Sequence, residues 1–292
     1  MAVDLHIHST ASDGTLTPEA IVADAAARGL SVIAISDHDT VAGVRPALVA
    51  ARDLPDSDTA PTVIPAVELS TQQGAHEAHI LGYFIDLDDA GLLAQLDLVQ
   101  QARRDRAGEM VRKLQNMGVR ITLDDVAAGA PDGHKPDSIG RPHIAAALVA
   151  MGACRSAQEA FSMYLKRDRP AYVPRYKMAV LEAIETIRAA GGIPVLGHPG
   201  LMGNEGVVRH IIGLGVEGLE AYHIDHSGAD TRRFVALAEA TGLLITGGSD
   251  SHGPGGPKPV VIGQVDVPDE CGERLIARAR ETGRLRNPKL EV

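Results

Sequence analysis

Short apolar runs alternate along this chain with segments of helical periodicity, and polar or glycine-rich turns separate most of them. VDLHIH (3–8) alternates with period two and reads as a strand. Thr17-Pro18-Glu19 has the order N-cap, proline at the first helical position and acidic first turn, so a helix is predicted from there to Gly29. SVIAIS follows as a second strand. In the second half, VLEAIETIRAA stops at Gly191-Gly192 and leads into PVLGH, VVRHIIGL leads into VEGLEAYH, and TRRFVALAEA stops at Gly242 and leads into LLITGGSD. Repeated strand–turn–helix units of this kind predict a parallel sheet, either open and doubly wound or closed into a barrel.

Residues 98–178 break the rhythm. QQARRDRAGEMVRKLQNM, PHIAAALVAM and EAFSMYLKR have helical periodicity, and no comparable strand occurs before AYVPRY. The expected organisation is therefore a discontinuous α/β domain over 1–97 and 179–292, interrupted by a helical insertion over 98–178. The Pro/Asp-rich stretch 53–62 reads as an exposed loop.

Charge sharpens that division. The chain has 292 residues and a net charge of −10, which argues against binding long nucleic acid. Yet residues 98–177 carry 14 Lys+Arg against 8 Asp+Glu. A basic insertion in an acidic chain suggests a local anion-binding segment. Cys154 and Cys271 are isolated, as expected of a reducing compartment. MAVDLHIHS lacks the features of a signal peptide, and no apolar run approaches the ~20 residues of a membrane span, so the expectation is a cytoplasmic protein without a membrane partner.

The histidines and carboxylates fall at the ends of the predicted strands. In an alternating strand, Val3, Leu5 and Ile7 face one way, and His6 and His8 face the other. Asp250 and His252 repeat the i, i+2 spacing in GGSDSHG. Asp13 follows the first strand in a glycine-containing turn. His38, Glu68, His79 and His198 stand in AISDHDT, PAVELS, HILGYF and VLGHP. Each alone has an ordinary explanation as a cap, a surface histidine or a buried hydrogen-bonded group. Together, six of the twelve histidines and three carboxylates occupy equivalent strand ends, where catalytic groups converge in a barrel. His76, His210 and His226 are not so placed. Imidazole with carboxylate and without thiolate suits Mn²⁺, Fe²⁺ or Zn²⁺. Nine ligands suit two or three divalent ions, which activate a water and clamp the oxygens of a phosphoryl group.

In order along the chain, DLHIHSTASDG, AISDHDT, the Glu68 strand, HILGYF, LGHPG and GSDSHG resemble the motifs of the PHP (polymerase and histidinol phosphatase) family. The resemblance implies a distorted (β/α)7 TIM-like barrel with a trinuclear centre. Its ligands would be His6, His8, Asp13, His38, Glu68, His79, His198, Asp250 and His252, with Mn²⁺ preferred over Fe²⁺ or Zn²⁺. Some branches have histidine where Asp13 stands, a difference that could change the preferred metal.

GRPHIAAALVAMG and EAFSMYLKRDRPAYVPRY resemble the TrpH-like branch, which implies that Arg141 and His143 face the active site. Arg141 is expected to hold phosphate bidentately. Arg103, Arg106 and Lys135 are further substrate-binding candidates, each equally explicable as a solvated surface charge. His223, at the end of EGLEAYH, could contact substrate or protonate the leaving oxygen. The leading expectation is a metal-dependent phosphoesterase removing the 3′-phosphate of nucleoside 3′,5′-bisphosphates such as pAp, with metal-activated hydroxide as nucleophile. The alternative is a 5′→3′ exoribonuclease on short RNA, although the three Phe and absent Trp offer little stacking surface for long strands. Histidinol phosphatase or an inactive regulatory module fits less well. All nine ligand positions are filled.

Overall fold

The computed structural model describes residues 2–54, 60–128, 139–174, 176, 178–254 and 260–286. Its strands are β1 (Ala2–Ile7), β2 (Leu30–Ile35), β3 (Thr62–Gln73), β4 (His76–Tyr83), β5 (Met178–Ala179), β6 (Ile193–Leu196), β7 (Gly218–His223) and β8 (Leu244–Gly248). Hydrogen bonding runs in the order β1-β2-β3-β4-β6-β7-β8, with the short β5 beside β3. Beyond β8, the chain returns to β1. Asp250 donates its N–H to the carbonyl of His6 (2.9 Å), and His8 donates to that of Ser251 (3.0 Å). The result is a nearly closed α/β barrel.

Helices α1 (Pro18–Ala27), α2 (Val44–Arg52), α7 (Val180–Ala189), α8 (Glu205–Leu214) and α9 (Gly228–Thr241) surround the barrel, and α10 (Asp269–Glu281) contributes to its second apolar cluster. Sequence logic accounts for the helix ends. The Thr17 hydroxyl accepts the N–H of Ala20 (3.2 Å), Pro18 opens α1, and Gly242 caps α9 in the left-handed region. Ile33, Ile35, Val67, Leu69, Ile80 and Leu196 pack outward against the helices. Their neighbours Val32, Ala34, Ile64, Ala66, Leu81, Tyr83 and Val195 form the second cluster with Leu275 and Ala279 of α10.

Two expectations are corrected. The sheet is not wholly parallel: β4 runs antiparallel to both β3 and β6. Only Gly74 and Ala75 join β3 to β4, and so short a link can make a hairpin but no crossover. Nor do Val3, Leu5 and Ile7 share one face. Pairing with β2 is irregular between Asp4 and Ile7, so Val3 and Leu5 join the α10 cluster while Ile7 packs with the outer helices.

The segment between β4 and β5 is helical: α3 (Ala90–Asn116), α4 (Leu123–Ala128), α5 (Arg141–Ala150) and α6 (Ala157–Ala160), the last continued by a π turn to Leu165. Leu92, Leu96 and Val99 of α3 pack with the barrel. Ala107, Met110, Val111 and Leu114 form a separate core with Ile144 and Leu148 of α5, Ala160 and Leu165. One helix of 27 residues thus belongs to both bodies.

Candidate metal centre and its surroundings

Glu68 is the hub. It lies inside β3, fully buried, with five residues of strand beyond it. His79 is likewise within a strand, since β4 runs back past it. The antiparallel direction of β4 brings both to the same rim as the strand ends. His79 Nδ1 and His198 Nε2 stand 2.6 Å and 3.0 Å from Glu68 Oε1, and His38 Nδ1 stands 2.7 Å from Oε2.

A second arrangement shares that Oε2. His6 Nε2 is 3.5 Å from it and His8 Nε2 3.3 Å. Asp250 Oδ1 lies 3.5 Å from His6 Nε2 and 3.1 Å from His8 Nε2, and the two imidazole nitrogens are 3.1 Å apart. Four-coordinate ions with ligands at ~2.0–2.1 Å require donor–donor edges of roughly 3.3–3.4 Å. The five separations fit. Among the described residues, three sets have ligand atoms close enough to share an ion: His6, His8 and Glu68; His38, Glu68 and His79; and His8, Asp13, His38 and His252. Among the described residues, His8 Nδ1, Asp13 Oδ1, His38 Nδ1, Glu68 Oε2 and His223 Nε2 are buried without a hydrogen-bond partner. Leaving such atoms unmatched costs ~1–3 kcal/mol each. Divalent ions would satisfy the carboxylate and imidazole donors among them, so the residues present fit a multinuclear centre.

Electrostatics agree. Burial works to raise the pKa of Glu68, but the imidazoles of His38, His79 and His6 outweigh it and hold the carboxyl well below its usual range. For Asp13, burial is outweighed by His252, His38 and His8. For Asp250 it is outweighed by His6, His223, His8 and His252. All three remain anionic, the state that a cation requires.

Buried carboxylates behind the ligands orient them. Glu220 Oε1 accepts Nδ1–H of His6 (2.9 Å), which leaves Nε2 free to ligate, and Oε2 accepts the N–H of His198 (2.7 Å). Asp37 accepts from the N–H of Ser9 (2.7 Å) and the hydroxyls of Ser9 (2.7 Å) and Ser12 (2.6 Å), binding the loop after β1 to the end of β2. Asp4 accepts the N–H groups of Ser249 (2.9 Å) and Gly263 (2.7 Å). Sequence reading missed all three. Glu220 did leave a signal, as a lone carboxylate inside the apolar run GLEAYH. Its alternation with His223 is the wrong parity for one face, but the pairing of β7 with β8 slips between Glu220 and Tyr222 and turns both inward. Asp39, His198 and Asp250 have positive φ (53°, 25° and 52°), a strained backbone at the rim that carries the ligands.

The other sequence candidates are placed as follows. His223 lies 3.4 Å from Asp250 Oδ2 through Nε2, and its Nδ1 accepts the N–H of Asp225 (3.1 Å), so the ring proton is on Nε2 and faces the cluster. Arg103 is no surface charge. Its guanidinium is buried, with Nε donating to Asp39 Oδ2 (2.7 Å) and Nη2 donating to the same oxygen and to Ser70 Oγ (2.8 Å). Arg106 donates through Nε to the carbonyl of Val173 (2.8 Å). Both ring nitrogens of His143 are engaged: Nδ1 accepts the N–H of Gly140 (2.9 Å), and Nε2–H donates to the carbonyl of Ser12 (2.8 Å). Burial lowers its pKa, which favours this neutral form. Arg141 lines a cavity with Arg167, Tyr172 and Gln72, its guanidinium 5.8 Å from the Phe161 ring centre. Lys135 lies outside the described residues. His226 is satisfied by Gly200 and Ala221, and His210 is exposed on α8.

A rim of histidines and carboxylates on a nearly closed barrel defines a metal-dependent hydrolase. Residues 4–123 match the PHP domain. The chain is 34% identical to a 3′,5′-nucleoside bisphosphate phosphatase of Chromobacterium violaceum, over 97% of this chain and 98% of that protein. It is 33% identical to the 5′-3′ exoribonuclease Rnm of Escherichia coli, with 86% and 85% covered. A solved structure from Bifidobacterium adolescentis, described as a metal-dependent phosphoesterase, superposes with a TM-score of 0.84 at 32% identity, over 94% of this chain and 96% of that one. The chain belongs to the PHP family of phosphoesterases.

Proposed function

We propose that this phosphoesterase removes the 3′-phosphate of nucleoside 3′,5′-bisphosphates such as pAp, giving AMP and phosphate. The observation that carries the reading is end-to-end similarity to a bisphosphate phosphatase in a chain whose buried Glu68 is approached by five candidate-ligand histidines, His6, His8, His38, His79 and His198. His6, His8, Asp13, His38, Glu68, His79, His198, Asp250 and His252 would hold two or three divalent ions, Mn²⁺ before Fe²⁺ or Zn²⁺. When bound, such ions polarise a water and neutralise phosphoryl charge. The protein's own contribution is positional. His223 presents Nε2–H toward the cluster, where it can donate to the leaving ribose oxygen. Arg141, on the basic helical segment, is our candidate for holding a second phosphate, and the cavity it lines with Arg167 supplies a second cation for that role.

The second reading, 5′→3′ hydrolysis of short RNA, is favoured by the similarity to Rnm. The partner in either case is a small nucleotide or short RNA, not long nucleic acid or a membrane. No helix among the described residues is long and apolar enough to cross a bilayer. The buried, unpaired Cys154 and Cys271 suit a cytoplasmic location. Phosphate release from pAp, measured with Mn²⁺ beside a 5′-phosphorylated trinucleotide, separates the two readings. No release from pAp, with brisk hydrolysis of unrelated monoesters, sinks the first.

A further inference from the structure

The three consecutive residues Asp37, His38 and Asp39 are pinned from both sides. Asp37 holds Ser9 and Ser12 of the loop that carries Asp13. Asp39 accepts the N–H of Ser70 through Oδ1 (2.8 Å) and the guanidinium of Arg103 through Oδ2, and its carbonyl accepts Gln100 Nε2 (2.9 Å). Arg103 and Gln100 belong to α3 of the helical segment. A second link comes from α5, where His143 Nε2–H donates to the carbonyl of Ser12 (2.8 Å), the residue before Asp13. Arg103, Asp39, His143 and Ser12 are all buried. Arg103 is one turn from Ala107 and His143 is beside Ile144, both members of the one apolar core that joins α3 to α5. The two links are thus anchored in a single body. They end next to His38 and Asp13, which among the described residues lie together only in the set His8, Asp13, His38 and His252.

We propose that the helical segment is the clamp of this one metal position, with Arg103 and His143 acting as positioning residues for His38 and Asp13 rather than as phosphate-binding groups. The set His6, His8 and Glu68 draws on barrel strands and stands outside the clamp, whereas His38 also reaches Glu68 and His79, so Asp13 and His252 are what set the clamped position apart. Coupling of this kind is reciprocal: if docked helices favour the ion, the ion must favour docked helices.

The inference rests on the cluster being the metal centre of the phosphoesterase, and Mn²⁺ binding without substrate tests the two separately. Metal-stripped full-length protein, Arg103→Met and His143→Leu are equilibrated with Mn²⁺, and ions per chain and affinities are measured by elemental analysis and calorimetry. Each variant should weaken one class of ion by about 10–100-fold, as loss of an orienting partner does, and leave the tighter class unchanged. His143→Gln, whose amide can donate in place of Nε2, should recover most of the loss. Folded variants with wild-type stoichiometry and affinities overturn the clamp alone, whereas a wild type that binds no Mn²⁺ overturns the metal centre with it. Should both variants fail to fold, hydrogen exchange of the wild type decides. Added Mn²⁺ must slow exchange in α3 and α5, and equal rates with and without it overturn the clamp.

Discussion

Glu220 and His6 are 214 residues apart in the chain and meet through a 2.9 Å hydrogen bond at the fully buried floor of the metal centre. The other oxygen of Glu220 holds the backbone of His198, so one carboxylate orients ligands from two strands. Burial would raise its pKa, but His6, His223 and His198 outweigh that and keep it ionised. Glu220→Gln keeps the volume but has one acceptor for two N–H donors, and its amide must face one of them. The expected result is Mn²⁺ affinity lower by about 10–100-fold, with little change in far-UV circular dichroism. Wild-type affinity in a calorimetric titration would count against any orienting role.

How far the site can be read from sequence is clear from such pairs. His6, His8, Asp250 and His252 were legible because i, i+2 spacing at a strand end is local information. The hairpin direction of β4 is what brings His79 to the rim from mid-strand, and only the short Gly74-Ala75 link hints at it in the sequence. The orienting roles of Glu220 and Asp37 are not legible in the sequence for a different reason, although Glu220 stands out as a lone carboxylate in an apolar run. Their partners lie in distant segments, and only a pairing slip in β7 turns Glu220 inward. Of the two sequence readings of Arg103, the solvated surface charge is excluded by its burial against Asp39, a carboxylate that sits unmarked in the motif read for His38.

Gly14 explains why a glycine follows Asp13. A Cβ built there would lie 2.3 Å from the carbonyl oxygen of His8 and 2.6 Å from its carbon. The obstacle is backbone, so neither group can swing aside. Gly14→Ala should cost about 1–3 kcal/mol, the range of overpacking in tight sites, and should displace Asp13. A lower melting midpoint together with weaker Mn²⁺ binding is expected. An unchanged midpoint would mean the turn can relax without disturbing β1.

Ion removal should be visible in stability as well as activity. The carboxylates of buried Glu68 and of the partly buried Asp13 and Asp250 are packed against imidazoles that an ion would bind. An ion present at 100 times its dissociation constant stabilises by about 2.7 kcal/mol, roughly 4–5 °C in midpoint for a chain of this size. Chelation should lower the melt by that amount, and Mn²⁺ should restore it. Superimposable melts with chelator and with Mn²⁺ would argue that the cluster holds no ion tightly.

Away from the metals, Glu217 gathers Arg284, Arg278 and Arg188 just before β7. Arg284 binds it through both nitrogens (3.0 and 3.1 Å), while Arg278 and Arg188 approach to 3.5 and 3.7 Å. Partial burial tends to raise its pKa, but the hydrogen-bonded Arg284 and the charges of Arg278 and Arg188 prevail and lower it from the ordinary 4.5. The unfolded chain therefore takes up this proton before the folded one does. Glu217 contributes its stability above pH ~4.5 and loses it as pH falls through the lower folded value. Solvent reaches the arginines, so the contribution is about 1 kcal/mol or less. Metal-free Glu217→Gln should melt up to about 2 °C below the wild type at pH 7, and the gap should narrow as the pH is taken below 4.5. A gap that stays constant or widens in acid would show that packing, not charge, sets the cost of losing Glu217.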